Sequence, residues 1–379
     1  MLNIPVVLGS ATPSLESLHN VDLGRYRKLQ LPLRAGSAEM PSFHLIDMRG
    51  QNTQQGISIP LQQVIKQHLA ADNQVLVFLN RRGFAPTLLC TSCGWQAHCS
   101  DCDARLTLHQ SPPQMSCHHC GLHFPIPNSC ESCHAKTLTD VGVGTQKIEA
   151  GLSQMFSGTP IYRVDRDTIR TSRQLDLQLQ KINAGASAIL VGTQMLAKGH
   201  HFPNVTLVAI LNADSGFCSP DFRAPERTAQ TIVQVAGRAG RAEKTGQVWI
   251  QSYQPENPTL QMLINAGYPG FAEFELSQRK LAHFPPFQPM SIIRAESPQA
   301  ELAQQFLTQV QQTLKHNSDC EILGPVPAPL ARQANRWRYQ LLLLANNRQQ
   351  MHQTLQRLDL SAQPRQVRWS VDVDPYDSL

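Results

Sequence analysis

The rhythm of apolar and polar positions changes three times along the chain. The run "QVLVFLN" (74–80) is almost continuously apolar and one strand long, as expected of a strand buried on both faces. A cysteine-rich stretch follows, and then a regular alternation begins. "GVGTQKIEAGLSQMF" predicts a glycine turn into a helix, and "PIYRVD" a strand. "SRQLDLQLQKINAG" predicts a helix with a Ser start, a Gly stop, and Leu175, Leu179 and Ile182 on one face. "AILVGT" and "VTLVAILN" read as strands, "APERTAQTIVQVAGRAG" as a helix, "GQVWIQSY" as a strand and "NPTLQMLINAG" as a helix. Strands alternating with helices over short connections predict an α/β fold with a parallel, doubly wound sheet. The cysteine-rich stretch is then an insertion after the first strand, at about 85–138.

From about residue 286 the order becomes β-α-β-β-α-β. Its parts are "PPFQPMSIIRAES", a helix over 299–316, "CEILGPV", "WRYQLLLLAN", the helix "RQQMHQTLQRL" and "VRWSVDVDP". That order is the split βαβ plan of a small α+β domain, which is expected to leave one sheet face free. At a strand's entry, "RQANRWRYQ" mixes cations with stacking surfaces, so Arg336 and Trp337 are candidate contacts to single-stranded DNA. A solvated turn with the Trp on the sheet explains the same residues.

Composition adds limits. With 379 residues, 41% hydrophobic and 16% charged, the chain has material for two or three ordinary globular cores. No run approaches the ~20 apolar residues of a membrane span, and "MLNIPVVLGSATPS" lacks a basic leader. A cytoplasmic location is expected. Ten cysteines in a reducing compartment point to metal or redox chemistry and not to a disulfide framework.

Eight of those cysteines form four C-x-x-C pairs, "CTSC", "CSDC", "CHHC" and "CESC". Each pair suits a knuckle that aims two thiolates at one tetrahedral ion, so two structural Zn²⁺ are expected. Thioredoxin-like chemistry needs one pair at a helix start, not four in a row. Cys93 and Cys99 are too close in sequence for their knuckles to face each other, whereas a hairpin fits between Cys102 and Cys117. Nesting follows: Cys90, Cys93, Cys130 and Cys133 on one zinc, and Cys99, Cys102, Cys117 and Cys120 on the other. His98, His118, His119 and His134 are read as bystanders, and Cys218 and Cys320 as ordinary small side chains. With two zincs bound, the formal charge of +5 falls to about +1, so net charge says little about nucleic acid.

Four segments remain: "LGSATPS" (8–14), "VLVFLNRRGF", "VGTQMLAKGHHFPNV" and "QVAGRAGR" (234–241). In this order they resemble motifs III, IV, V and VI of superfamily 2 helicases. With zinc knuckles between IV and V, the chain resembles the C-terminal portion of the primosomal replication-restart helicase family. "GVGTQKIE", "DFRAPERTAQ" and "GPVPAPLARQANRWRYQLLLL" match as well. The resemblance implies an ATP-driven 3′→5′ DNA helicase that recognises stalled forks and starts primosome assembly. It implies forked or single-stranded DNA, single-strand binding protein and other primosome proteins as partners, and a bacterial, nucleoid-associated location.

The resemblance also assigns roles. Arg238 and Arg241 would reach the γ-phosphate of ATP as arginine fingers, since the guanidinium fork stays charged and donates two hydrogen bonds at once. Gln234 would sense nucleotide, Gly237 and Gly240 would let the backbone pass close to the other lobe, and Lys198 and Gly199 would lie near the nucleotide. Asn80, Arg81, Arg82, Gly144, Thr145, Thr193 and Gln194 would meet DNA. Ser10 and Thr12 would couple the lobes, and Asp221, Arg223 and Glu226 would form a polar network that positions the motif VI helix.

No G-x-x-x-x-G-K-[ST] run occurs in these residues, and no acidic Mg²⁺-binding motif precedes "SAT". ATP and Mg²⁺ would therefore need a first lobe, and the chain alone is expected not to hydrolyse ATP. Residues 1–35 are read as the tail end of that lobe, 36–285 as the second lobe, and 286–379 as the C-terminal domain. "IPVVLGSAT" would be a strand without neighbours, and residues 1 to about 35 are expected to be poorly supported. A zinc-containing DNA-binding scaffold without ATPase activity is the alternative, and would bind DNA regardless of ATP. An RNA motor fits the zinc insertion poorly, and a redox role for the thiols would show as reactivity without a chelator.

Overall fold

A computed structural model of the chain describes residues 4–31, 40–80, 87–101, 105–110, 113–117, 121–140, 145–164, 169, 171–193, 196, 202–219, 221–240, 245–315, 320–358 and 364–376. Six parallel strands form the larger sheet, in the order Ser42–Asp47, Gln247–Ser252, Val205–Leu211, Gln74–Leu79, Ala188–Gly192, Ile161–Val164. Gln74–Leu79 and Val205–Leu211 are buried along their whole length, as their unbroken apolar runs demand. Period-two alternation divides their side chains between two cores. Leu76, Phe78, Val208 and Ile210 join the core that includes Ile232, Leu260 and Phe271, while Val75, Val77, Leu207 and Ala209 join the one that includes Leu61, Ile65 and Ile148.

Two elements were not legible. Ser42–Asp47 is an edge strand of mixed burial, without the apolar run that marks its neighbours. Ile59–Ala70 is a helix whose N-cap, Ser58, accepts the Leu61 N–H. Gln74–Leu79 is therefore not the first strand of the sheet but its interior, with Val205–Leu211 and Ala188–Gly192 on its two sides.

The N-terminal expectation also needs correction. Residues 4–10 carry no strand, and Ile4, Val6, Val7 and Leu8 are exposed. Among the described residues no strand lies beside them to take their N–H and C=O groups, so the extended run has nothing to pair with. Support begins sooner than expected, however. Thr12 is buried, and Ser14 caps the helix Leu15–Asp22, whose first residue is fully buried in the lobe.

In the C-terminal domain, four antiparallel strands run in the order Glu321–Gln333, Arg336–Leu344, Met290–Ser297, Arg368–Val373. This is the predicted split βαβ plan. The helices Ala300–Lys315 and Arg348–Gln356 contribute Phe306, Leu307 and Met351 to a core with Ile293, Leu341 and Leu343. The opposite face is not left free. Met290 and Ile292 are fully buried there, strand Thr107–Gln110 of the cysteine-rich insertion packs against Glu321–Gln333, and Gly121 abuts Val326. Among the described residues, no helix is long and apolar enough to cross a membrane.

Candidate functional site

The outer four cysteines converge. The sulfurs of Cys90, Cys93, Cys130 and Cys133 all lie within 4.8 Å of one another. Cys90 and Cys133 are 3.6 Å apart and Cys93 and Cys130 3.7 Å. A tetrahedron with Zn–S bonds of about 2.3 Å has edges of about 3.8 Å, so these spacings suit Zn²⁺. The backbone explains the convergence. Gly94, Gly121 and His134 donate to the carbonyls of Cys90, Cys117 and Cys130 at 2.8, 2.9 and 2.9 Å. Cys90, Cys117 and Cys130 donate to Trp95, Leu122 and Ala135 at 2.8, 2.8 and 2.9 Å. Each of the three turns is closed by a residue of positive φ, Gly94 (79°), Gly121 (82°) or His134 (59°).

Two of these thiols are shifted in opposite directions by their surroundings. Burial raises the Cys90 thiol, but hydrogen bonds from the Thr137 hydroxyl and the N–H groups of Cys93 and Ser92 outweigh it and bring the pKa to about 6. Burial and the neighbouring sulfurs push Cys93 up to about 12. Of the inner set, Cys99 and Cys117 are buried together in a small core with Leu106 and Met115. They flank the expected hairpin, formed by Thr107–Gln110 and Pro113–Ser116. Cys102 and Cys120 lie outside the described residues. Cys218 is buried, its thiol pushed up to about 12 by that burial, with Sγ 3.2 Å from Gln254 Oε1. It is a packing group, as read.

The insertion is docked by polar contacts that sequence reading did not anticipate. Arg105 Nη1 donates to the Phe217 carbonyl at 2.7 Å, and Gln254 Nε2 to the Gly94 carbonyl at 3.1 Å. Asp214 beneath them is fully buried, which raises its pKa, and it accepts from Ser252 Oγ at 2.6 Å and the Tyr253 N–H at 2.7 Å.

The motif VI helix is Ala224–Ala236. It buries Thr228, Ala229, Ile232, Val235 and Ala236 in the lobe and leaves Gln234 exposed. Arg238 follows the helix end, half-buried, its N–H on the Val235 carbonyl at 2.9 Å. Gly237 has an ordinary helical φ of −62°, so backbone freedom is needed not there but at Gly240, at +66°, whose N–H reaches Val205 O. Arg241 lies outside the described residues, as do Arg81, Arg82, Gly144, Gln194, Lys198 and Gly199. Thr145 opens the helix Thr145–Met155, and Thr193 is buried at the end of Ala188–Gly192.

Three of the expected DNA contacts have partners within the chain. Asn80 is 3% exposed and donates to Thr228 Oγ1 at 3.4 Å, which ties its strand to the motif VI helix. Arg336 pairs with Glu296 at 3.1 Å and donates to the Glu296 and Gln366 carbonyls, bracing the C-terminal sheet. Trp337 stacks under Arg332, 5.3 Å from the guanidinium to the ring centre. The exposed tip is the turn at Ala334 and Asn335, both at positive φ, with Arg332 beside it.

The "DFRAPER" network is present and larger than expected. Asp221 pairs with Arg227 and accepts the Arg223 N–H; Arg223 pairs with Glu16 and donates to the Pro375 carbonyl. Glu226 accepts the Leu15 N–H at 2.9 Å and Arg279 Nη2 at 3.0 Å. Arg279, 2% exposed, also pairs with Glu275. Arg279 and Tyr268 were missed because both lie on Pro258–Leu281, a helix read as ending at Gly267. The backbone does leave helical geometry at Gly267, yet the helix resumes beyond it. Burial raises the Tyr268 phenol well above its ordinary range, so it stays a hydroxyl donor.

Comparison with known proteins agrees with this layout. Residues 280–376 match the family described as Primosomal protein N C-terminal domain, residues 99–125 the PriA DNA helicase Cys-rich region domain, and residues 137–243 the Helicase conserved C-terminal domain. Replication restart protein PriA of Haemophilus influenzae is 45% identical over 99% of this chain and 52% of its own length. The Bacillus subtilis protein of the same name is 34% identical over 98% of this chain and 47% of its own length. The chain thus spans about half the length of these relatives. From cysteine insertion to C-terminal domain, every matched segment falls on a unit already distinct in the fold, and the chain belongs to the family of replication restart protein PriA, whose C-terminal portion it matches.

Proposed function

We propose that this chain supplies the second motor lobe, zinc module and C-terminal domain of an ATP-dependent 3′→5′ DNA helicase that recognises stalled forks and starts primosome assembly. The observation that carries this reading is the motif VI helix. One face is buried against a parallel sheet, and Gln234 and Arg238 stand at its C-terminal end, on a lobe that also seats the Ser10–Pro13 segment. Arg238 and Arg241 stabilise charge on the γ-phosphate of an ATP cradled by a companion lobe, and Gln234 reports its presence. Gly144, Thr145, Thr193 and Gln194 belong to the edge that meets DNA phosphates, and Lys198 and Gly199 lie toward the nucleotide.

The outer cysteines hold one zinc and Cys99, Cys102, Cys117 and Cys120 a second, each ion serving as a structural cross-link. Forked or single-stranded DNA is the substrate, and single-strand binding protein and other primosome members are the protein partners, in the bacterial cytoplasm at the nucleoid.

The test compares the 379-residue chain with the full-length gene product. DNA-dependent ATPase activity is expected only where a companion first lobe is present, and there Arg241→Ala is expected to lower the rate by about 10³-fold or more. ATP hydrolysis by the 379-residue chain that vanishes with Arg241→Ala would overturn the two-lobe reading. ATP-indifferent DNA binding by an inactive full-length protein would favour the scaffold alternative.

A further inference from the structure

Among the described residues no strand lies beside residues 10–15 where they cross the lobe, and their backbone groups find partners among side chains. The Thr12 carbonyl accepts from Gln230 Nε2 at 3.3 Å, the Pro13 carbonyl from the Tyr268 hydroxyl at 2.6 Å, and the Leu15 N–H donates to Glu226 Oε1 at 2.9 Å. Gln230 Nε2 also lies 3.3 Å from the Tyr268 oxygen and 3.5 Å from Glu226 Oε1, which closes the group on itself. Tyr268 is 6% exposed and directly follows Gly267, where the helix backbone breaks at φ 65°.

Two helices thus grip one short segment, and one of them is the motif VI helix. Gln230 and Gln234 are one turn apart on a single stripe of that helix, and Arg238 follows one turn further, past its end. A rigid helix with one end on the Ser10–Pro13 segment and the other at the nucleotide side has the geometry of a lever.

We propose that Gln230 and Tyr268 are positioning residues that latch the Ser10–Pro13 segment to the motif VI helix, so that movement driven at Gln234 and Arg238 is delivered to that segment. The proposal rests on the motor reading above. A purely structural role would need the same hydrogen bonds but would leave the coupling between DNA and ATP turnover intact. The latch requires that coupling to weaken when one hydroxyl is removed.

The experiment uses the full-length gene product and compares wild type, Tyr268→Phe, Gln230→Leu and the double variant. Tyr268→Phe keeps the ring and removes one donor, so the fold survives it. The ratio of ATPase rate with saturating oligo-dT to the rate without DNA is expected to fall at least about fivefold in each single variant, with oligo-dT affinity and KM for ATP within about twofold. Because both substitutions cut one link, the double variant is expected to be no worse than the worse single one. A smaller fall in the ratio for either single variant overturns the latch, and so do additive losses in the double. A wild-type protein without DNA-stimulated turnover would instead overturn the motor reading, and the latch with it.

Discussion

The cysteine knuckles and the hub around Glu226 are both clusters of polar groups brought together by the fold, and they are built in opposite ways. In each described knuckle the turn is closed within six residues, by an N–H from the residue after the second cysteine position and a carbonyl one residue beyond. The hub draws on Leu15, Glu16, Asp221, Arg223, Glu226, Glu275 and Arg279, which meet only when three helices have packed. Local closure makes a site independent of its surroundings; distant assembly makes it a report on whether the surroundings are in place.

Metal removal is the strongest way to test that contrast. A chelator at neutral pH is expected to abolish hydrogen-exchange protection over residues 87–140 while Val205–Leu211 keeps its own, because zinc binding worth roughly 10–16 kcal/mol would be lost from the module. Metal analysis should give about two zincs in wild type and one in Cys130→Ser. Two zincs in that variant would break the nested assignment.

The reciprocal test removes Arg279. Arg279→Ala takes its cation from buried Glu275 and leaves Glu226 with Arg223 at 3.9 Å, and is expected to cost about 3 kcal/mol in denaturant unfolding, with zinc content unchanged. Replacing the set with Met at 279 and Gln at 226 and 275 should recover most of the loss, since the penalty comes from unpaired charge.

The mildest test concerns where a knuckle touches its neighbours. Gly94→Ala places a Cβ into the Tyr253 carbonyl at positive φ, whereas Gly121→Ala meets only a methyl of Val326 at 3.1 Å. The first is expected to lower stability by about 1–3 kcal/mol and the second by less, both with zinc retained. Equal losses would mean that the left-handed turn, and not the docking of the module, sets the cost.

This contrast also explains what could be read without coordinates. The buried strands, the split βαβ order and the nesting of Cys90, Cys93, Cys130 and Cys133 all follow from short-range patterns: unbroken apolar runs, loop lengths and C-x-x-C spacing. Ser42–Asp47 escaped because an edge strand of mixed burial lacks a periodic signature. Asn80 was assigned to DNA by the resemblance and Arg336 by the mix of cations and rings around it; neither signal shows that Thr228 and Glu296, far off in sequence, bond to them. Tyr268 had no local mark, and the i, i+4 spacing of Glu275 to Arg279 and of Glu226 to Gln230 gave no sign of the partners some 40 to 250 residues away that join them.

The position of Gln74–Leu79 inside the large sheet has a consequence for synthesis. Its two neighbours, Ala188–Gly192 and Val205–Leu211, come much later in the chain. At ~5–20 residues per second, the ribosome leaves that strand, buried throughout in the finished fold, without its first neighbour for roughly 5–20 s. The zinc module is made entirely within this interval and has its own closures, so it matures before the sheet into which it is inserted. A cell starved of zinc would therefore hold two unfinished pieces on each nascent chain at once. Scarcity of the metal would be felt first at the ribosome, as aggregation, well before any finished protein could lose its ion.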